Sequence, residues 1–186
     1  MDLEKYCMVI DDVLDNRVCD YLIDLFDTNK SLHERYDNND KPNFTQFNIT
    51  KHKDNFLQIH DHIIQVSLSC LEKYKKAVSE TSFWPKKYMF EEFRIKYYNE
   101  GGHDQFDTHI DSGNIETSKR FFIFFYYLND VEDGGETEFT NTTLKVKPKT
   151  GRIIMFPPFW MFPHKGNPVT KGQKYLLSSY LHYGKE

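Results

Sequence analysis

The chain has 186 residues, of which 39% are hydrophobic and 28% charged, and a formal net charge of −4 at pH 7. A chain of this length fits one domain and can bury a substantial core. The negative balance excludes a general attraction to phosphate backbones, so we expect no nucleic-acid partner.

The N-terminal part of the chain predicts a strand followed by an amphipathic helix. Residues 7–14 (CMVIDDVL) have the short apolar pattern of a strand, and Asp15 is placed to cap the helix after it. The apolar residues of that helix recur at helical spacing, namely Val18, Leu22, Leu25 and Phe26.

A polar stretch then precedes a second helix. Residues 28–55 are predicted mostly as loop, with a short strand around 44–49. We expect Asp54 to start the second helix, because an apolar stripe at helical spacing follows it. That stripe comprises Phe56, Ile59, Ile63, Val66 and Cys70.

From Tyr88 onward the pattern becomes strand-like, and Gly-Gly pairs, prolines and Asn-rich breaks separate the runs. The segment RFFIFFYYL is apolar on both faces, as expected of a central strand covered by helices on one side and lining a cavity on the other. The predicted strands are 88–98, 105–110, 119–129, 136–139, 144–147, 152–156 and 174–183.

The order of these elements indicates the fold class. Helices followed by a run of short strands argue for a sheet sandwich or barrel buttressed by N-terminal helices, and against alternating β-α-β units. We expect one α+β domain over residues 1–186, with a helix and strand lead-in at 1–87 and the core at 88–186.

The cysteines and the N-terminus indicate the compartment. Cys7, Cys19 and Cys70 are far apart and form no C-x-x-C pair, which argues against a disulfide framework and for a reducing environment. The first residues lack the basic start and apolar run of a signal peptide. The longest apolar run, 121–128, is too short to cross a bilayer as a helix. We expect a soluble cytoplasmic protein without a membrane partner, either a monomer or a weak homo-oligomer.

A candidate metal site begins at His109 and Asp111. An imidazole and a carboxylate at i and i+2 project from the same face of a β-strand. A second imidazole from a distant strand, such as His164, would complete three ligands on one side of a metal. Two His and one carboxylate with open positions suit non-haem Fe(II). Asp107 shares the parity of this pair and is a rival carboxylate on spacing alone.

Lys174 follows ten residues after His164 and shares a strand face with Leu176 and Ser178, which would place its ammonium inside the barrel. A buried lysine without a partner is costly, and its charged form is suppressed. A dicarboxylate co-substrate would remove that cost if one end chelated the metal and the far carboxylate paired with Lys174. The alternative is a lysine that points to solvent.

Two other patterns receive structural interpretations. His60 and His62 lie in a helical pattern at i and i+2, so their side chains face different directions and do not suggest a metal site. Gly134 and Gly135 predict a tight turn between strands.

Residues from about 90 to 183 carry several segments that occur together, in the same order, in one family. The segment resembles the catalytic core of the Fe(II)/2-oxoglutarate-dependent oxygenases, of the prolyl 4-hydroxylase type. The matching segments are YYNEGG, DTHID, FYYLNDVEDGGETEF, VKPKTGRIIMFPP and PHKGNPVTKGQKYLLSSYL. The N-terminal CMVIDDVLDNRVCDYLI also resembles the lead-in of this family.

The resemblance implies a double-stranded β-helix (jelly-roll) core, an Fe(II) cofactor, 2-oxoglutarate and O₂ as co-substrates, and ascorbate as a reductant. It selects Asp111 over Asp107, Tyr127 over Tyr126, and Tyr98 over Tyr97. The implied iron ligands are His109, Asp111 and His164, and the implied 2-oxoglutarate contacts are Lys174, Tyr127 and Tyr98.

The activity that the resemblance implies is hydroxylation of an unactivated C–H bond, with peptidyl proline as the leading substrate. A free amino acid or another protein side chain is the alternative. Two hypotheses from other classes are a zinc hydrolase, which would use the same ligand types, and a catalytically silent jelly-roll binding module.

The chain departs from the family pattern in three places. The segment GGHDQFDTH is longer than is typical, which would reshape the substrate entrance. Tyr180 stands where an aromatic residue, often Trp, closes the final strand. The extra peptide-binding domain of animal collagen hydroxylases is not seen in this sequence.

Overall fold

The computed structural model describes residues 2–37 and 42–184. Two α-helices precede most of the strands along the chain. The helices are α1 (Asn16–Thr28) and α2 (Leu57–Ala77). The strands are β1 (Met8–Ile10), β2 (His33–Tyr36), β3 (Phe44–Asn48), β4 (Tyr88–Phe90), β5 (Arg94–Tyr98), β6 (Phe106–His109), β7 (Arg120–Tyr127), β8 (Asp133–Gly134), β9 (Thr137–Phe139), β10 (Lys145–Val146), β11 (Ile153–Phe156), β12 (His164–Gly166), β13 (Val169–Lys171) and β14 (Lys174–Tyr183).

Two antiparallel sheets form the core. The larger has the order β1-β11-β7-β14-β5-β3-β2, with β4 also paired to β14, and the smaller has the order β10-β9-β12-β6. Aromatic and aliphatic side chains from both sheets pack into one shared cluster. The predicted α+β class, a double-stranded β-helix (jelly-roll) core buttressed by N-terminal helices, is confirmed.

Strand β7 shows why the larger sheet can be covered on both sides. Phe122, Phe124 and Tyr126 belong to the cluster that contains the buried residues of α1 and α2. The alternating residues Phe125 and Tyr127 belong to the cluster between the sheets. Each fully buried aromatic contributes about 1.5–3 kcal/mol relative to an exposed one. The prediction of a central strand that is apolar on both faces is confirmed.

The helices follow the predicted patterns, except at one end. The Asp15 side chain accepts the backbone N–H of Arg17 at 2.8 Å and caps α1 as predicted. The prediction that α2 begins at Asp54 is wrong, because residues 50–55 form a 3₁₀ turn and α2 begins at Leu57. Asn48 accepts the backbone N–H of Lys51 at 3.0 Å, which starts that turn early. In the described part of the chain, no helix is long and apolar enough to cross a membrane.

The prediction of one strand over 88–98 is also wrong. Leu181 of β14 pairs with Phe90 of β4, whereas Ser178 pairs with Arg94 of β5. The stretch between β4 and β5 therefore contains one residue more than the facing stretch of β14, and it cannot continue the ladder. The result is two strands separated by residues 91–93.

The lead-in is part of the larger sheet and not only a cover for it. Strands β1, β2 and β3 all pair within that sheet, and β2 was not predicted. The division into a lead-in at 1–87 and a core at 88–186 stays a prediction.

Gly134 ends β8, pairs with Val169 of β13, and has a backbone conformation that other residues rarely adopt. Its φ is 79°, and a Cβ atom built there would lie 2.2 Å from the carbonyl oxygen of Pro168. We expect Gly134→Ala to lower the free energy of unfolding by about 3 kcal/mol, through left-handed strain and this clash. Urea denaturation measures the change.

Gly101→Ala is the matched control for that substitution. Gly101 also has a positive φ, 107°, but a Cβ there would meet no atom within 4 Å. Gly101→Ala introduces the backbone strain without the clash, so it should lower the free energy of unfolding by about 1–2 kcal/mol. Equal losses in the two variants would contradict the role assigned to the close approach of Pro168.

Candidate metal centre

Two strands of the smaller sheet bring the imidazoles of His109 and His164 together. His109 ends β6 and His164 begins β12, and the two are direct partners in the antiparallel ladder. Side chains of such partners lie side by side on one face of the sheet. The centroids of the two rings are accordingly 4.4 Å apart.

Asp111 brings a carboxylate to the same point. Its Oδ2 lies 3.2 Å from Nε2 of His164 and 3.8 Å from Nε2 of His109. One ligand atom from each of the three residues lies within 4.8 Å of the others. The rival Asp107 has an exposed side chain and is not part of this cluster. We call His109, Asp111 and His164 the triad.

The backbone fixes which ring nitrogen of each histidine faces the cluster. Nδ1 of His109 donates to the carbonyl of Asp107 at 2.8 Å, and Nδ1 of His164 donates to the carbonyl of Phe162 at 3.1 Å. A carbonyl oxygen can only accept, so each Nδ1 carries the proton. Each Nε2 keeps a lone pair directed toward Asp111, which is the arrangement of a metal-bound imidazole.

Two atoms of the triad are buried without a hydrogen-bond partner among the described residues: Asp111 Oδ2 and His164 Nε2. Such atoms are costly unless something else pairs with them. Burial lowers the pKa of His109 to about 4, so its imidazole is neutral. Burial raises the pKa of the Asp111 carboxyl, but His164 and His109 outweigh that effect and hold it well below its usual range. Two imidazoles and one carboxylate fit a divalent transition metal such as Fe(II).

Neighbouring side chains hold Asp111 in place. The hydroxyl of Tyr180 donates to Asp111 Oδ1 at 2.7 Å, which leaves Oδ2 for the triad. Arg120 donates to the backbone carbonyl of Asp111 at 3.2 Å, and its guanidinium lies 3.9 Å from the Tyr180 ring. Glu91 pairs with Arg120 at 2.6 Å and fixes the guanidinium in turn.

A pocket adjoins the triad, and Lys174 and Tyr98 line it together with His109 and His164. Lys174 and Tyr98 are direct partners in the β14–β5 ladder. The Lys174 ammonium lies 5.0 Å from the centroid of the Tyr98 ring and 5.8 Å from that of Tyr127. The hydroxyl of Tyr127 donates to Thr137 Oγ1 at 2.7 Å.

Spacing alone did not decide between neighbouring tyrosines in β5 and in β7. The alternation of side chains along each strand places the two members of each pair on opposite faces. Tyr98 and Tyr127 belong to the cluster between the sheets. Tyr97 and Tyr126 belong to the cluster on the helix side, where the hydroxyl of Tyr126 lies 2.6 Å from that of Ser67. The assignment of Tyr98, Tyr127 and Lys174 to 2-oxoglutarate stays a prediction.

Lys174 is 2% exposed, so the alternative in which it points to solvent is wrong. Its ammonium makes no hydrogen bond or ion pair with any residue in the ranges that the structure describes. Burial lowers the pKa of Lys174 to about 7. An anionic ligand in the pocket would restore the charged form.

Comparison with known proteins agrees with this arrangement. The sequence profile of the 2OG-Fe(II) oxygenase superfamily matches residues 93–182, a range that includes the triad and Lys174. Over this range the chain is similar to the 2OG-Fe(II) oxygenase superfamily. The curated relatives that it resembles are named prolyl 4-hydroxylases.

Two relatives illustrate the similarity. Prolyl 4-hydroxylase 13 of Arabidopsis thaliana is 27% identical over 156 residues, covering 68% of this chain and 55% of the relative. A putative prolyl 4-hydroxylase of Acanthamoeba polyphaga mimivirus is 34% identical over 98 residues, covering 45% of this chain and 38% of the relative. The chain spans about half the length of the first of these curated relatives and less of the second.

The fold is similar to that of a solved viral enzyme. The viral collagen prolyl hydroxylase of Paramecium Bursaria Chlorella virus-1, solved as its 2OG complex, superposes with a TM-score of 0.75 at 25% identity. The match covers 96% of this chain and 97% of the viral one. A Pseudomonas putida prolyl-4-hydroxylase at 15% identity and a TM-score of 0.67 shares the fold.

Sequence reasoning did not single out Lys96, a buried lysine of the pocket. It lies in β5, is 9% exposed, and lines the same pocket as Lys174. The signal that could have found it is parity, since Lys96 is two residues from Tyr98 and therefore shares its strand face. The contacts of Tyr180 and Arg120 with Asp111 were not predicted either.

The depressed pKa of Lys174 predicts how stability depends on pH without metal and co-substrate. Between the folded value of about 7 and the ordinary value of 10.5, the unfolded chain binds a proton at this residue that the folded chain does not. The contribution of Lys174 to the free energy of unfolding therefore rises with pH across this window, by at most about 1.4 kcal/mol per unit. Below about pH 7, Lys174 is charged in both the folded and the unfolded chain, so the folded protein bears the full free-energy cost of burying the ammonium.

The variant Lys174→Met removes this titration. Its stability advantage over the wild type should shrink as the pH rises from 7 to 10.5, which chemical denaturation at several pH values measures. Lys165→Met is the control, because Lys165 pairs with Glu138 and its side chain is 36% exposed. A pH-independent difference between wild type and Lys174→Met would contradict the prediction.

Proposed function

We propose that this chain is an Fe(II)- and 2-oxoglutarate-dependent dioxygenase that hydroxylates an unactivated C–H bond, with peptidyl proline as its substrate. The observation that carries this proposal is the triad with its two unpartnered atoms, next to a buried and unpaired Lys174. A divalent metal would pair with the two unpartnered atoms of the triad, and the far carboxylate of a keto-diacid would pair with the Lys174 ammonium.

The residues of the chain have separable tasks in this reaction. When bound, Fe(II) and 2-oxoglutarate supply the oxidising chemistry, in which O₂ gives one oxygen atom to the substrate and one to succinate, with release of CO₂. His109, Asp111 and His164 would hold the metal, each through one side-chain atom. Lys174 would fix the far end of the co-substrate.

The walls of the pocket support the same assignment. Phe106 stacks on His109 with ring centroids 3.8 Å apart, and Phe125 and Leu176 line the pocket. These apolar groups keep water away from the triad, which strengthens every charge interaction inside the pocket. Lys165 and Gly166 also line the pocket, and there the bulge in the β12–β6 pairing shapes its rim.

The substrate is the part of the proposal that rests on relatives. The matched proteins are named prolyl 4-hydroxylases, and the viral structure is that of a collagen prolyl hydroxylase. A peptide or protein is therefore the proposed partner. Hydroxylation of a free amino acid or of another protein side chain is an alternative outcome of the test below.

The test uses the whole chain with Fe(II), 2-oxoglutarate, O₂ and ascorbate. Succinate release is measured alone and with a proline-containing peptide library, and mass spectrometry detects the gain of one oxygen. Oxygen gain on proline would support the proposal. Oxygen gain on another residue or on a free amino acid would show that this group, and not peptidyl proline, is the substrate. An absence of succinate under every condition would favour a silent binding module, and turnover of an ester or amide with Zn(II) and without 2-oxoglutarate would favour a zinc hydrolase.

We further propose that residues 1–186 act as one domain, since the lead-in strands pair within the core sheet. The expectations of a reducing compartment, of a monomer or weak homo-oligomer, and of no nucleic-acid or membrane partner stay predictions.

A further inference from the structure

Lys96 is a second buried lysine in the pocket, and the proposed function does not use it. It lies in the middle of β5 and is 9% exposed. Its ammonium makes no hydrogen bond or ion pair with any residue in 2–37 or 42–184. The contacts that it does make are with two aromatic rings, at 5.1 Å from the Phe44 centroid and 5.5 Å from the Phe106 centroid. Such contacts offset only part of the cost of burying a cation.

The strand register places Lys96 between Lys174 and the triad. Lys174 of β14 pairs with Tyr98 of β5. Two residues further along β14, Leu176 pairs with Lys96 of β5. Tyr180, which donates to Asp111, lies four residues beyond Leu176 on β14. Lys96 and Lys174 are thus diagonal neighbours on one face, with Cβ atoms about 7–8 Å apart or slightly closer.

The surrounding charges agree with that position. Among the charged groups that act on Lys96, Asp111 has the largest effect, and Lys96 in turn lowers the pKa of His109 and of Lys174. Arg94, Arg120 and Glu91 also act on it. Lys96 therefore faces both the triad and the Lys174 end of the pocket.

Two unpaired ammonium groups in one pocket call for two negative charges. A co-substrate that extends from Lys174 toward the triad passes the level of Lys96 before it reaches the metal ligands. Its second carboxylate, the one beside the keto group, then comes next to Lys96. A substrate peptide bound beyond the triad would lie farther from this position along β14.

We propose that Lys96 pairs with the keto-acid carboxylate of 2-oxoglutarate, while Lys174 pairs with the far carboxylate, so that the pocket holds the dianion between two cations. This inference rests on the proposed function. It makes Lys96 a positioning and selectivity residue of this chain, favouring ligands that carry a carboxylate next to a carbonyl.

Binding measurements separate the two lysines without relying on activity. The protein is loaded with Mn(II) under anaerobic conditions, and calorimetry gives the Kd of 2-oxoglutarate and of 2-oxovalerate, which lacks the far carboxylate. We expect Lys96→Met to raise both Kd values about tenfold or more, as for a lost charge-assisted hydrogen bond. We expect Lys174→Met to raise the Kd of 2-oxoglutarate only.

Lys145→Met is the charge-matched control, because Lys145 does not line the pocket, pairs with Glu138 at 3.7 Å and has a side chain that is 49% exposed. It should leave both Kd values within about twofold of wild type, as expected of an exposed cation screened by solvent. An effect as large as that of Lys96→Met would mean that the pocket responds to net charge alone, and the inference would be overturned.

Folding of the Lys96 variant is checked by thermal unfolding without metal or ligand. Removal of a buried unpaired charge by a side chain of similar size should preserve or raise the midpoint. If Lys96→Met does not fold, Lys96→Gln provides the second variant, with the same rise in both Kd values expected. The unchanged binding of both ligands to a folded Lys96 variant would overturn the inference and leave the proposed function standing. A wild-type protein that binds no 2-oxoglutarate with any divalent metal would remove the proposed function itself, and the inference with it.

Discussion

Replacement of His109 by alanine is expected to abolish both metal binding and conversion of 2-oxoglutarate to succinate. Loss of one imidazole leaves only two ligands in the triad, His164 and Asp111. Because the metal supplies the chemistry, we expect succinate release to fall by more than about a thousandfold. Calorimetry with Mn(II) reports the binding loss, and succinate release reports the catalytic loss.

A matched control separates this effect from the loss of any histidine. His62 is exposed on α2, and His62→Ala should retain both metal binding and turnover. Normal metal affinity in His109→Ala would contradict the ligand assignment directly. The carboxylate can be tested in the same way, since Asp111→Ala should behave like His109→Ala, and Asp107→Ala, at an exposed position of β6, should not.

The features that were predictable from the sequence are those set by local periodicity. The double apolar pattern of 121–127 predicts a strand with two buried faces, and the structure places that strand between the helices and the barrel interior. Parity within β5 and β14 likewise separates Tyr98 from Tyr97 and directs Lys174 inward. Alternation separates the two faces of a strand, and the family resemblance selected which tyrosine of each pair lies on the co-substrate side.

The strand that carries His164 could not be predicted in this way. The segment around it, FPHKGNP, is interrupted by prolines and a glycine, and its local pattern indicates a loop. Residues 164–166 nevertheless form β12, because β6 and β9 offer ladder partners on both sides. Pairing with distant strands decides this element, and it also sets the direct register of His164 with His109.

The short strand β2 was missed for a related reason. Its sequence, HERY, is polar and lies within a stretch that indicates a loop. It is held as an edge strand by β3 alone, and an edge needs no apolar pattern on its outer side. Lys96 was overlooked because a lysine in a strand ordinarily marks a solvated face, whereas both faces of β5 are covered in this fold.

Lys174→Ala is expected to weaken 2-oxoglutarate binding far more than it slows the bound enzyme. The far carboxylate would lose its only proposed ion pair inside a pocket where water cannot replace it. Truncation of one partner of a buried charge pair costs about 3 kcal/mol, so the apparent affinity should fall about a hundredfold. The metal ligands are untouched, so turnover at saturating 2-oxoglutarate should stay within about tenfold of wild type.

The variant Lys174→Arg tests whether position 174 requires a lysine or only a positive charge. The lysine ammonium lies 5.0 Å from the centroid of the Tyr98 ring and 5.8 Å from that of Tyr127, so the longer forked guanidinium would crowd these rings. We therefore expect arginine to restore less than about a tenth of the lost affinity, although it restores the charge. Kinetics over a range of 2-oxoglutarate concentrations separate KM from kcat for both variants. An unaltered KM in Lys174→Ala would show that the far carboxylate is held elsewhere, and Lys96 would then be the remaining buried cation of the pocket.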